Sequence, residues 1–132
     1  MSTRITSDPN WVVADSYGNA QFSADAISRF PSLKADLAED AGLLHVQMGT
    51  LAGAVRIALD SGDTQLPLEI CAFLDEAFKN PRAISEIENA VAISFVEAKE
   101  FRVSKAGQEV LVDMPASVRD VLLAQEARGG AQ

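Results

Sequence analysis

The chain has 132 residues, enough for one compact domain and too few for two ordinary ones. Apolar residues make up 48% and charged residues 23%, which suits a packed core and excludes disorder of the whole chain. Eleven Lys and Arg stand against nineteen Asp and Glu, a net charge of −8 that excludes direct nucleic-acid binding by bulk positive charge.

Residues 1–22 read as a short irregular N-terminal arm, with Trp11, Tyr17 and Phe22 set among Pro9, Gly18 and turn-forming Asp and Asn. A strand at Trp11 to Val13 with a turn at Gly18 and Asn19 is the lesser alternative; aromatics packed on a helical body are preferred. Helical signals begin at Ser23, where Ser23 or Asp25 caps a helix through Phe30. A second helix is expected from about Ser32 to Asp40, with Pro31 at its start. From Leu43 the residues Leu44, Met48, Leu51, Val55 and Leu59 fall at spacings of three and four and predict a longer helix, ended by Ser61 and Gly62. Asp63 or Thr64 then caps a helix with Ile70, Phe73, Leu74, Ala77 and Phe78 inward.

At Asn80 and Pro81 that helix stops, and the same pair is expected to open the next one. Ile84, Ile87, Val91, Phe95 and Ala98 carry this helix on to Lys99 or Phe101. Residues 101–113 admit a hairpin or a short helix from Ser104 to Val112; the helix is preferred. Met114 and Pro115 open a final helix with Val118, Val121 and Leu122 inward, and residues 129–132 form a fraying tail. The expected architecture is therefore all-α. It is a single domain over 23–128, a compact bundle of about six helices joined by short loops as stacked helical hairpins.

Few residues invite chemistry. His45 is the sole histidine, and with Asp36, Glu39 and Asp40 nearby it invites a metal site, but the spacing matches no ligand pattern and a structural role is preferred. Cys71 excludes an internal disulfide and, beside Ile70 and Leu74, reads as a buried structural thiol. The carboxylate pairs Glu39/Asp40, Asp75/Glu76 and Glu86/Glu88 read as solvated charges rather than an acid–base pair. No catalytic constellation, metal site or cofactor motif is found, and no enzyme activity is expected. Gly49 and Gly53 lie one helical turn apart. They read as a close-packing contact with a neighbouring helix, or as a place where a partner's backbone approaches.

Charge distribution says more. Between Asp60 and Glu100 nine carboxylates stand against Lys79, Arg82 and Lys99, a balance of −6. Ile93 points away from the stripe of Ile84, Val91 and Phe95, toward Glu86, Asn89, Glu97 and Glu100. A helix covered on two sides would explain it; so would an apolar anchor ringed by acids. The partner-binding surface is accordingly assigned to Asp60, Asp63, Glu69, Asp75, Glu76, Glu86, Asn89, Ile93, Glu97 and Glu100, facing a cationic protein.

The segments Ala41 to Leu51 (AGLLHVQMGTL) and Ile87 to Glu97 (IENAVAISFVE), with an acidic helix between them, resemble a family of small, all-helical, largely uncharacterised bacterial proteins. Some of these look like immunity proteins encoded beside secreted antibacterial toxins, and the similarity covers about residues 30–100. The resemblance implies an all-α fold without established catalysis. The expected function is a non-enzymatic binding protein that neutralises a cognate toxin domain by stoichiometric contact; the alternative is a helical scaffold or regulatory interaction domain. No apolar run near Met1 suggests a signal peptide and none is long enough to cross a membrane, so a cytoplasmic location is expected.

Overall fold

Eight α-helices account for most of the residues described in the computed structural model, which are 18–40, 42–80 and 83–130. In chain order they are α1 (Asn19–Arg29), α2 (Lys34–Glu39), α3 (Leu44–Asp60), α4 (Gln65–Lys79), α5 (Ser85–Ser94), α6 (Ala98–Phe101), α7 (Lys105–Asp113) and α8 (Ala116–Gln125). A 3-10 turn (Pro31–Leu33) precedes α2, and a π turn (Glu126–Gly130) follows α8. The all-α expectation holds. Trp11 and Tyr17 lie outside the described residues.

The long helices follow their apolar spacing. Along α3, Leu44, Met48, Leu51, Val55 and Leu59 are buried. The helix ends where Gly62 adopts φ +81, a left-handed conformation that a β-carbon would strain. Asp63 accepts the Gln65 N–H at 2.8 Å and so helps start α4, whose buried stripe includes Ile70, Phe73, Leu74 and Ala77. α3 lies against both α4 and α5, and α8 closes over α4 and α5. Phe73 of α4 receives Phe22 and Phe30 at ring-centre distances of 5.2 and 5.6 Å, the second edge-on.

Sequence boundaries shift at four places. Phe22, assigned to the arm, is fully buried within α1, which begins at Asn19 because the Gly18 N–H is taken by the Gln21 side chain at 3.1 Å. Asn80 does end α4, but α5 starts at Ser85 rather than Pro81. Ile84 is extended there, and Glu86 and Glu88 fall in the first turn, where the helix dipole favours them.

The third shift matters most for the site. The helix expected to run to Lys99 or Phe101 breaks after Ser94. Phe95 and Glu97 are extended, which lets the adjacent Phe95 and Val96 both bury themselves. A new helix then starts at Ala98, with the Glu100 carboxylate accepting the Glu97 N–H at 2.9 Å. The fourth shift is small: Pro115 precedes the last helix instead of opening it. Residues 105–113 form a helix, as preferred, with Ser104 Oγ accepting the Gly107 N–H at 3.0 Å.

The close-packing reading of Gly49 and Gly53 is not supported. A β-carbon at either position would meet nothing within 4 Å. The tight glycine is Gly107, where a β-carbon would sit 2.2 Å from the Phe101 carbonyl oxygen.

Candidate functional site

The candidate surface is carried by α4, α5 and α6, and much of its charge is already used inside the molecule. Glu76 holds Arg29 of α1 through two bonds of 2.9 and 2.8 Å. Glu100 holds Arg56 of α3 at 2.8 Å. The side chain of Asp75 is only 16% exposed; it accepts a hydrogen bond from Ser117 of α8 and pairs with Lys79 at 3.0 Å. These three carboxylates therefore act first as cross-links between helices. Hydrogen bonds from Arg29, Arg56 and Ser117, respectively, hold them below the ordinary carboxylate range.

Glu86 and His45 form a fourth cross-link. His45 Nε2 lies 2.8 Å from Glu86, and its Nδ1 lies 2.9 Å from Ser94 Oγ. The histidine thus joins α3 to α5 with both ring nitrogens engaged. The hydrogen bond from His45, assisted by one from Asn89, lowers the Glu86 carboxyl from its ordinary value. Among the described residues no three His, Cys, Asp or Glu side chains come together as metal ligands. Cys71 is fully buried, and burial pushes its thiol up to about 12, so it is not poised as a nucleophile.

The remaining assigned residues are more available. Asp60 and Asp63 are exposed at the end of α3 and in the following loop. Glu69 is exposed on α4 and accepts from Gln65 of its own helix at 3.1 Å. Glu97 is half-buried at the start of α6, 3.5 Å from Lys99. Ile93 is 67% exposed, so it is not covered by a second layer. The break after Ser94 alters its setting: Glu86 and Asn89 share its helix, whereas Glu97 is the extended cap of α6 and Glu100 lies within α6, so neither continues the same helical face.

Beside Ile93 lies a feature absent from the sequence reading. A groove of about 530 Å³ opens between α4, α5 and α8, bordered by Asn89 and Ala92 on α5. Glu88 of α5 and Asp120 of α8 line it, with Phe78 and Val121 as apolar lining. Only the position of α8 against α5 brings these two carboxylates to one groove, and no spacing of residues 32 apart announces that.

A second missed feature is structural. Gln47 is fully buried in α3; its Nε2 donates to the Leu37 carbonyl at 2.7 Å and its Oε1 accepts from Ser23. Ser23 Oγ in turn accepts the Gly42 N–H at 2.9 Å. This chain of bonds joins α1, α2 and α3 with every member satisfied.

Among known protein families, one described as a domain of unknown function, DUF7674, matches residues 24–126. No curated protein and no solved structure matches the chain. Among the described residues, no helix is long and apolar enough to cross a membrane.

Proposed function

The chain belongs to the DUF7674 family, and for this member we propose a non-enzymatic binding role: a bacterial immunity protein that neutralises a cognate secreted toxin by stoichiometric contact. The observation that carries the reading is Ile93. An isoleucine left 67% exposed on a helix that also presents Glu86 and Asn89 on the same side has the make-up of an apolar anchor with a polar rim. The chain's net charge of −8 adds attraction for a cationic partner. The carboxylates that cross-link helices contribute to the field and to the fold, so Asp75, Glu76 and Glu100 serve the surface mainly by holding it in shape.

Co-expression with any toxin domain found encoded beside its gene tests the reading directly. A stable complex and loss of toxin activity at one-to-one stoichiometry are expected. In that complex Ile93→Asp speeds dissociation, by roughly 30-fold for a hot spot of about 2 kcal/mol, with the circular dichroism spectrum unchanged. A neighbouring toxin that neither binds nor is inhibited refutes the proposal. Inhibition that persists far below one equivalent refutes its stoichiometric part.

A further inference from the structure

The groove between α4, α5 and α8 carries two carboxylates that the fold does not use. Glu88 and Asp120 are both exposed, and neither has a hydrogen-bond or ion-pair partner among the described residues. In this they differ from Asp75, Glu76, Glu86 and Glu100, each of which is bonded to another element. Phe78, Val121 and Ala124 supply apolar lining to the same groove. Arg128, from the π turn, reaches the same groove and also lacks a partner among the described residues.

We propose that this groove receives an arginine side chain of the protein partner, its guanidinium between Glu88 and Asp120 and its carbon stem along Phe78 and Val121. The charge argument is direct. Two unpaired carboxylates beside one groove favour a cation, and a guanidinium is weakly hydrated enough to lie on an aromatic face while bonding carboxylates. An ammonium would lose more hydration against the same lining. The chain's own Arg128 borders the groove without bonding either carboxylate, and so stands as a tethered competitor for them.

A protein-borne arginine is favoured over a small free cation by continuity. Asn89 borders the groove and lies one helical turn before Ile93, so the groove and the exposed isoleucine form one surface along α5. A segment with an arginine and adjacent apolar residues covers both; a small cation covers only the groove. This inference rests on the reading of α5 as a partner surface but not on the partner being a toxin.

The test uses the full chain and a blocked pentapeptide, acetyl-Gly-Leu-Arg-Leu-Gly-amide, followed by amide chemical shifts. Saturable shifts are expected at Ser85 to Ile93 and Ser117 to Ala124. The same peptide with citrulline, which keeps the shape and loses the charge, should bind about tenfold more weakly. Glu88→Gln and Asp120→Asn should each weaken binding severalfold, while Arg128→Ala should strengthen it. All three positions are exposed, and far-ultraviolet circular dichroism verifies that each variant is folded. Equal binding of the citrulline peptide, unaltered binding by Glu88→Gln and Asp120→Asn, or shifts scattered over every acidic helix without saturation would each overturn the proposal. Arginine amide binding as tightly as the pentapeptide would overturn the protein-borne assignment. A toxin complex in which the peptide shifts nothing sinks the groove alone; a responsive groove without any toxin complex sinks the immunity reading alone.

Discussion

Gly107→Ala sets two effects of opposite sign against each other. Residue 107 lies inside α7, where alanine is preferred to glycine by about 1 kcal/mol on helix propensity. The structure opposes that gain. The added methyl would stand 2.2 Å from the Phe101 carbonyl oxygen, where ordinary contact begins at 3.4 Å, so backbone has to retreat by about 1.2 Å. Phe101 is fully buried, and the retreat would carry its ring out of a close-packed site. Overpacking of this kind costs about 3 kcal/mol at the upper end of its usual range. The net expectation is a loss of about 2 kcal/mol, or roughly 6–10 °C in Tm for a chain of this length. Urea unfolding followed by circular dichroism measures it, with an unchanged m-value as the check on two-state behaviour. Gly49→Ala and Gly53→Ala supply the controls. Both sites are helical and open, so each should gain about 0.5–1 kcal/mol. Gly107→Ala as stable as the parent refutes the packing argument.

Gln47→Leu keeps the side-chain volume but orphans the Leu37 carbonyl and the Ser23 hydroxyl, and should cost about 2–4 kcal/mol in the same unfolding assay. Adding Ser23→Ala should cost less than the sum of the two single changes. Stability should fall on acidification. Asp75, Glu76, Glu86, Glu100 and Glu126 all have folded-state carboxyls lowered from ordinary values of 3.8 for the aspartate and 4.5 for the glutamates. Their contribution is complete above those values and is lost as pH drops through the lowered ones, so denaturant midpoints measured from pH 6 to 3 should decline mainly below about 4.5. A midpoint that rises over that interval contradicts the ion-pair assignments. Cys71 should resist a thiol reagent at neutral pH until the protein unfolds, and its labelling rate should follow the urea transition.

The helices were legible where one apolar stripe met one buried side, as in Leu44 to Leu59 and Ile70 to Ala77. The break after Ser94 was not. Phe95 and Ala98 continue the helical spacing, and the interruption comes from burying the neighbouring Phe95 and Val96 together, a demand set by the surrounding helices. Glu97 is an unusual first cap, so it gave no warning of a new start. At the candidate site, the outward direction of Ile93 was readable from its position opposite Val91. The partners of the carboxylates were not, because Glu76 with Arg29, Glu100 with Arg56 and Glu86 with His45 are 41 to 47 residues apart. The glycines misled for a related reason: spacing placed Gly49 and Gly53 on one side of a helix but could not say whether that side met protein or solvent.

The buried amide of Gln47 has a consequence for how α3 chooses its orientation. Apolar side chains leave this helix on nearly every side: Leu44, Met48, Leu51 and Val55 inward, Val46 and Ile57 outward. Hydrophobicity alone would tolerate several rotations about the helix axis, since another apolar strip could replace the buried one. A turn of one residue, about 100°, would carry the amide away from both Ser23 and the Leu37 carbonyl and leave buried dipoles unanswered. A slide by one helical turn, about 5.4 Å, would do the same. Gln47 is therefore the key that singles out one rotation and one height among near-equivalent packings. An apolar replacement at Ser23 and Gln47 together would yield a bundle still able to collapse but less able to hold α3 at one angle.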